Sequence, residues 1–121
     1  MWPLRLSPKQ RQGQAGEQRA LAYLRGRGLE HVESNFSCAC GEIDLVMRDG
    51  KQLVFVEVRQ RAASSYGGAM ASISPAKIRR VVRAAHTYLQ RFPRVPPCRI
   101  DVVAIDGEQL EWLVDAVQAD A

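Results

Sequence analysis

The sequence predicts an α/β protein with the element order α-β-β-β-α-β-β. Two runs of β-forming residues, 41–47 and 53–59, flank Asp49-Gly50, a dipeptide typical of hairpin turns. Downstream, Ser74 is a favourable N-cap residue followed by proline, so a second helix is predicted to begin there. A strand over residues 98–105 comes next, and the last segment suits either an edge strand or a short helix.

The first helix is predicted over residues 9–26, and Gly28 is expected to end it. Helical spacing places Glu17 in line with Leu21 and Leu24, on the face that should pack inward. Glu17 is therefore either an acid within the core or a residue at the edge of the apolar stripe that reaches water. The second helix has a predicted apolar stripe made of Ile78, Val81, Val82, Ala85 and Leu89.

Each strand of the predicted hairpin has an acid between apolar residues, Asp44 in the first strand and Glu57 in the second. A two-residue turn would place these acids diagonally, whereas a four-residue turn over residues 49–52 would place them opposite each other, roughly 5 Å apart. Either register puts both carboxylates on one face. Two close carboxylates repel each other unless a proton, a base or a cation lies between them, and Mg²⁺ prefers oxygen ligands. The alternative is that one acid is protonated or paired with an arginine.

The length of 121 residues predicts one domain, over residues 9–117, between flexible tails at 1–8 and 118–121. No apolar run approaches the roughly 20 residues that span a bilayer, and the first residues lack the apolar core of a secretory signal. We therefore expect a cytoplasmic protein with no membrane partner. Cys38, Cys40 and Cys98 are an odd number of thiols without zinc-finger spacing, so we expect them to be free and reduced.

The formal charge is +4, and arginine dominates the excess, which favours a nucleic-acid partner. Cationic residues crowd the first half of the second helix, namely Lys77, Arg79, Arg80 and Arg83. A cationic first turn opposes the helix dipole, so a bound polyanion would explain it, although a solvated charged face is an alternative. Asp101, in the strand that follows, is expected to form a salt bridge with an arginine.

The residues GEIDLV followed by VFVEVRQR resemble the core of the PD-(D/E)XK nuclease superfamily. From GQAGEQRALAYL, through those strands, to SISPAKIRRVVRAAHTYL and CRIDVVAI, residues 13–106 resemble the YraN-like family of small, largely uncharacterised bacterial proteins. That family is thought to be related to archaeal Holliday-junction resolvases. The resemblance implies a restriction-endonuclease-like three-layer core, in which helices flank a mixed central β-sheet.

The resemblance also implies a set of ligands for Mg²⁺ or Mn²⁺, namely Asp44, Glu57, the carbonyl of Val58, and Glu17, which would hold metal-bound water. Arg59 stands where the superfamily usually has lysine, and arginine cannot act as a general base. Lys77 would supply the missing amine. The residues expected to contact nucleic acid are Arg11, Arg61, Lys77, Arg79, Arg80 and Arg83.

The implied function is metal-dependent hydrolysis of phosphodiester bonds, selective for DNA structure rather than sequence. A homodimer is expected because two strands must be cut. One alternative is a nucleic-acid-binding protein that kept the nuclease fold without catalysis, which Arg59 favours. Another is a protein-interaction module with a basic helix.

Overall fold

The computed structural model describes residues 8–61 and 73–117. It contains two helices and five strands: α1 (Pro8–Gly26), β1 (Glu30–Cys38), β2 (Gly41–Asp49), β3 (Gln52–Arg61), α2 (Pro75–Leu89), β4 (Cys98–Asp106) and β5 (Gln109–Val117). The predicted element order is confirmed, and the last element is a strand rather than a short helix. Of the predicted tails, Pro8 begins α1, and residues 1–7 and 118–121 lie outside the described residues.

The five strands form one sheet in the order β1-β2-β3-β4-β5. The β3–β4 pair is parallel and the other three pairs are antiparallel, so the sheet is mixed. One apolar cluster joins α1 to one face of the sheet, with Leu24, Leu45 and Val56 among its members. A second cluster joins α2 to the opposite face and includes Phe55 and Tyr88. The predicted three-layer α/β core is therefore confirmed.

Both helices have the end signals that their sequences indicate. Gly28 has a φ of 94°, and its N–H donates to the carbonyl of Arg25 at 3.0 Å, which closes α1 in the left-handed conformation that glycine tolerates. At the start of α2, the Ser74 hydroxyl accepts a hydrogen bond from the Lys77 N–H at 3.1 Å. Neither helix in the described part of the chain is long and apolar enough to cross a membrane.

The buried stripe of α2 is rotated from the predicted one. Its buried residues are Val81, Ala84, Ala85 and Tyr88. Tyr88 packs edge-on against Phe36 and Phe55, with ring centroids 5.2 and 5.5 Å away. The aromatic contacts draw Tyr88 inward, whereas the predicted stripe members Ile78, Val82 and Leu89 are only partly buried.

The β2–β3 hairpin has the register of the four-residue turn. Asp49 pairs with Gln52, and Gly50 has a φ of 61°, as this tight turn requires. The pairing ends at Leu45 and Val56, one residue before Asp44 and Glu57. The two strands therefore stop pairing at the position where both acids stand.

Asp101 is fully buried in β4 and is satisfied by three donors. The Arg99 Nε donates at 3.0 Å, the Trp112 Nε1 at 2.9 Å and the Asp115 backbone N–H at 2.8 Å. Asp115 has a φ of 53°, and this conformation aims its N–H at the carboxylate. The expected arginine salt bridge is confirmed, and Asp101 joins β4 to β5.

Replacing Asp101 by alanine should destabilise the fold by about 3–5 kcal/mol, because the Trp112 and Asp115 N–H groups lose their acceptor and the largely buried Arg99 keeps only Asp49 and Gln52 as partners. Urea denaturation followed by circular dichroism measures the loss. Glu111→Ala, an exposed acid on β5, is the matched control and should change stability by less than about 0.5 kcal/mol. Equal effects of the two substitutions would contradict the role given to Asp101.

Candidate active site

Asp44 and Glu57 form a carboxyl pair where β2 and β3 stop pairing. Glu57 is only 3% exposed, and the two carboxyl groups approach closely enough to share a proton. The Val58 N–H donates to the Asp44 Oδ2 at 2.8 Å. This hydrogen bond takes the place of a backbone pair between the strands and fixes Asp44 beside Glu57.

Side-chain alternation along β2 is interrupted at Asp44. Ile43 and Val46 belong to the same apolar cluster, although strict alternation would place them on opposite faces of the sheet. Asp44 lies at this irregularity, where it contacts Glu57 and also the carboxyl group of Glu17 from α1. The three predicted acids therefore meet through Asp44.

Glu17 is half-buried and is held by Asn35 of β1. With its nitrogen facing Glu17, the Asn35 amide donates to both carboxylate oxygens at 3.1 Å. Asn35 has a φ of 56°, a left-handed conformation that asparagine adopts more readily than most residues. Its neighbours Ser34 and Phe36 pair with Leu45 and Ile43, so Asn35 lies opposite Asp44.

Lys77 is the cation beside the acids. Its Nζ lies 3.8 Å from the Glu57 Oε1 and 3.8 Å from the Glu42 Oε1. Arg59 adds a positive charge that also lowers the pKa of Glu57. The cationic first turn of α2 is thus explained in part by the acids that face it.

Burial raises the pKa of all three acids, and the charge of Asp44 further raises the pKa of Glu17 and of Glu57. Burial, followed by the charge of Asp44, raises the pKa of Glu57 to about 8. The same two causes raise the pKa of Glu17 to about 7. Burial also raises the pKa of Asp44, against the hydrogen bond from Val58 and the charge of Lys77. In the absence of a further cation, protons must neutralise part of this cluster near neutral pH.

The pair of Asp44 and Glu57 has the chemistry of a hard-cation site. The Glu57 Oε2 is buried and has no hydrogen-bond partner among the described residues, which is costly unless a cation, a water or a proton shared with Asp44 satisfies it. However, no group of three or more His, Cys, Asp or Glu side chains in the described ranges is arranged to hold one metal ion. The residues fit an ion held by one carboxylate pair that keeps several waters, as Mg²⁺ does. Ligation by the Val58 carbonyl, and the role of Glu17 in holding metal-bound water, stay predictions.

The remaining predicted residues are more dispersed. Arg79, Arg80 and Arg83 are exposed on α2, beside Lys77 but not in the acid cluster. The side chains of Arg11 and Arg61 lie outside those that the structure describes. Their predicted contacts with nucleic acid stay predictions.

Three residues near the acids were not predicted from the sequence. Asn35 is placed by an irregular strand, and only its known tolerance of left-handed geometry could have suggested it. Glu42 shares Lys77 with Glu57 and could have been found by its spacing of two from Asp44.

Gln60 packs so closely on Gly16 of α1 that a Cβ at position 16 would collide with the Gln60 Oε1. Glycine at position 16 thus lets α1 approach β3.

The acid cluster predicts that the metal-free protein loses stability as pH rises. Glu17 and Glu57 have an ordinary pKa of 4.5 but about 7 and about 8 in the fold. The folded state therefore binds more protons than the unfolded chain, so this stabilisation is complete below pH 4.5 and is lost as pH rises through 7 and 8. The melting temperature in a chelator, measured across this range, should fall with pH. The fall should be smaller in Asp44→Asn, which lacks the repelling charge, and an equal fall in both proteins would contradict the cluster.

Comparison with known sequences identifies the family. A model of the uncharacterised protein family UPF0102 matches residues 16–105. The chain is 60% identical to a UPF0102 protein of Cupriavidus taiwanensis, over 93% of this chain and 87% of that protein. It is 55% identical to a UPF0102 protein of Janthinobacterium sp. (strain Marseille), over 92% and 90% of the two chains. The resemblance to YraN-like proteins is confirmed, and the chain belongs to the uncharacterised protein family UPF0102.

Proposed function

We propose that this protein is a metal-dependent nuclease that hydrolyses phosphodiester bonds in DNA and selects its substrate by structure. The observation that supports this most directly is the carboxyl pair of Asp44 and Glu57, with a buried Glu57 oxygen that lacks a partner among the described residues. A structural acid in the same sheet, Asp101, has the opposite arrangement, because both its oxygens have donors. A divalent cation bound at the pair would lower the pKa of a bound water and polarise the phosphate.

The chain's own residues would supply the rest of the chemistry. Lys77 brings a positive charge to within 3.8 Å of Glu57, where it can stabilise negative charge on a phosphate. Glu17, with a pKa of about 7, can accept or release a proton near neutral pH. Arg59 strengthens the positive field but cannot take up a proton.

The exposed arginines of α2 provide a surface for the DNA backbone. Arg79, Arg80 and Arg83 extend along the helix that begins beside the acids. Contacts of this kind bind phosphates and do not read the sequence, so a branched or distorted duplex is the expected substrate. Cutting both strands of a junction takes two such sites, which a homodimer would provide.

A second candidate is a protein that binds nucleic acid on this fold without cutting it. Arg59 favours this alternative, because it replaces the lysine expected beside the second acid. Lys77 favours catalysis, since its amine reaches the same carboxylate. A protein-interaction module with a basic helix would leave the buried Glu57 oxygen without a role.

Purified protein should cut a synthetic four-way DNA junction when Mg²⁺ or Mn²⁺ is present and not in a chelator. Asp44→Asn and Glu57→Gln should each reduce the rate by about 100-fold or more, because each removes one member of the cation site. Gel electrophoresis of end-labelled junctions measures the rate. Glu111→Gln, an exposed acid on β5, is the matched control and should leave it unchanged.

Calorimetric titration with Mg²⁺ separates the cation site from the activity. Wild-type protein and the Glu111→Gln control should bind the ion, and Asp44→Asn should bind it much more weakly. An unchanged affinity in both Asp44→Asn and Glu57→Gln would end the site assignment. Normal ion binding with no cleavage of any branched or linear DNA would favour the non-catalytic candidate.

Arg83→Ala should weaken junction binding about equally for junctions of different sequence, because the arginine is expected to bind a phosphate rather than a base. The slope of log affinity against log salt should become shallower by about 0.9, the value for one phosphate. Fluorescence anisotropy at several salt concentrations measures both quantities. Arg25→Ala removes the same charge from the last turn of α1 and is the control. If both substitutions have the same effect, the basic face of α2 is not the DNA surface.

A further inference from the structure

The turn between β1 and β2 brings two thiols together. Cys38 pairs with Gly41 across this turn, and the Sγ atoms of Cys38 and Cys40 lie 2.9 Å apart. That separation is about 0.9 Å longer than a disulfide bond. Both thiols are half-buried, whereas the third cysteine, Cys98, is exposed at the start of β4.

Helix α2 holds the turn in place. The Cys40 Sγ lies 3.4 Å from the Thr87 hydroxyl, and a Cβ at Gly41 would collide with the Arg80 carbonyl. Because Gly41 has no side chain, the turn can pack directly against the backbone of α2 at Arg80. Because tertiary contacts fix the turn, the two thiols stay close without a covalent bond.

The surroundings of the two thiols favour a reactive thiolate. A cavity of about 280 Å³ beside them is also lined by Lys77, Arg80 and Glu42, so two cations outnumber one carboxylate there, and nearby cations stabilise a thiolate. The hydrogen bond with Cys40 lowers the pKa of the Cys38 thiol. Cys98 is exposed as a residue, but partial desolvation raises the pKa of its thiol, so it is less readily ionised than Cys38.

We propose that Cys38 and Cys40 form a redox-active dithiol, which a hydroperoxide converts reversibly into an intramolecular disulfide. The Cys38 thiolate attacks the peroxide, the O–O bond breaks, and a sulfenic acid and an alcohol form. The Cys40 thiol then attacks the Cys38 sulfur, which releases water as the S–S bond forms. In total, two thiols and one hydroperoxide give one disulfide, one alcohol and one water. A dithiol reductant reverses the change.

The dithiol borders the acid cluster but does not depend on it. Glu42 follows the turn, and its carboxylate lies 3.8 Å from the same Lys77 Nζ that faces Glu57. The disulfide forms whether or not the acids bind a cation or the protein cuts DNA. The two proposals can therefore fail separately.

Treating the full chain with hydrogen peroxide, then alkylating it under denaturing conditions, tests the proposal. The reduced protein has three cysteines and should take up three labels, whereas the oxidised protein should take up one, at Cys98. Its intact mass before alkylation should fall by that of two hydrogen atoms, and dithiothreitol should restore all three labels. Peptide mass spectrometry locates the bond.

Matched variants distinguish this disulfide from other oxidation. Cys98→Ser should still form the disulfide at the wild-type rate, and Cys38→Ser should not form it. Three labels after peroxide treatment would overturn the proposal. So would gain of oxygen atoms at Cys38 without loss of the Cys40 label, or a crosslink between chains that disappears in Cys98→Ser. The proposal would also be overturned if a metal ion bound to the purified protein prevented labelling of Cys38 and Cys40 and a chelator restored it.

Discussion

The structure depends on how it neutralises the carboxyl groups around Asp44. Glu17 approaches Asp44 from α1 and Glu57 approaches it from β3, so the helix layer and the sheet both bring an acid to one point. Lys77 is 3.8 Å from Glu57 and also faces Glu42, and its charge together with that of Arg59 cannot balance all four acids. A proton or a bound cation must make up the difference, and which of them is present sets both the stability and the chemistry of this region.

The fold places this unfavourable cluster where the sheet opens. Between Leu45 and Asp49, β2 pairs regularly with β3, and apolar clusters cover both faces. One residue beyond that pairing, the Val58 N–H turns to the Asp44 carboxylate. An acid buried within the sheet has to be fully satisfied, as Asp101 is by three donors at the irregularity in the β4–β5 pairing. At the opening, Glu57 keeps an oxygen without a partner among the described residues, and that difference separates a candidate functional acid from a structural one.

Local patterns in the sequence predicted the elements well because each depends on a few neighbouring residues. The Ser74 cap, the ending of α1 at Gly28 and the proximity of Asp44 to Glu57 are all of this kind. The hairpin register was left between two alternatives, since Asp49-Gly50 suits either turn and only the packed strands select one. Tyr88 and Asn35 were missed because aromatic contacts and a left-handed strand residue arise from tertiary packing.

The cationic start of α2 connects these features. Lysine and arginine near a helix N-terminus oppose the dipole, so the fold gains nothing from them unless anions lie close by. Lys77 meets the carboxylates of Glu42 and Glu57, and with Arg80 it also lines the cavity beside Cys38 and Cys40. The exposed arginines of this helix face solvent, where they are accessible to the phosphates of the DNA substrate that we propose. A solvated charged face would explain those outer arginines. It would not explain why the half-buried amine of Lys77 lies beside Glu57, whose carboxylate is incompletely satisfied.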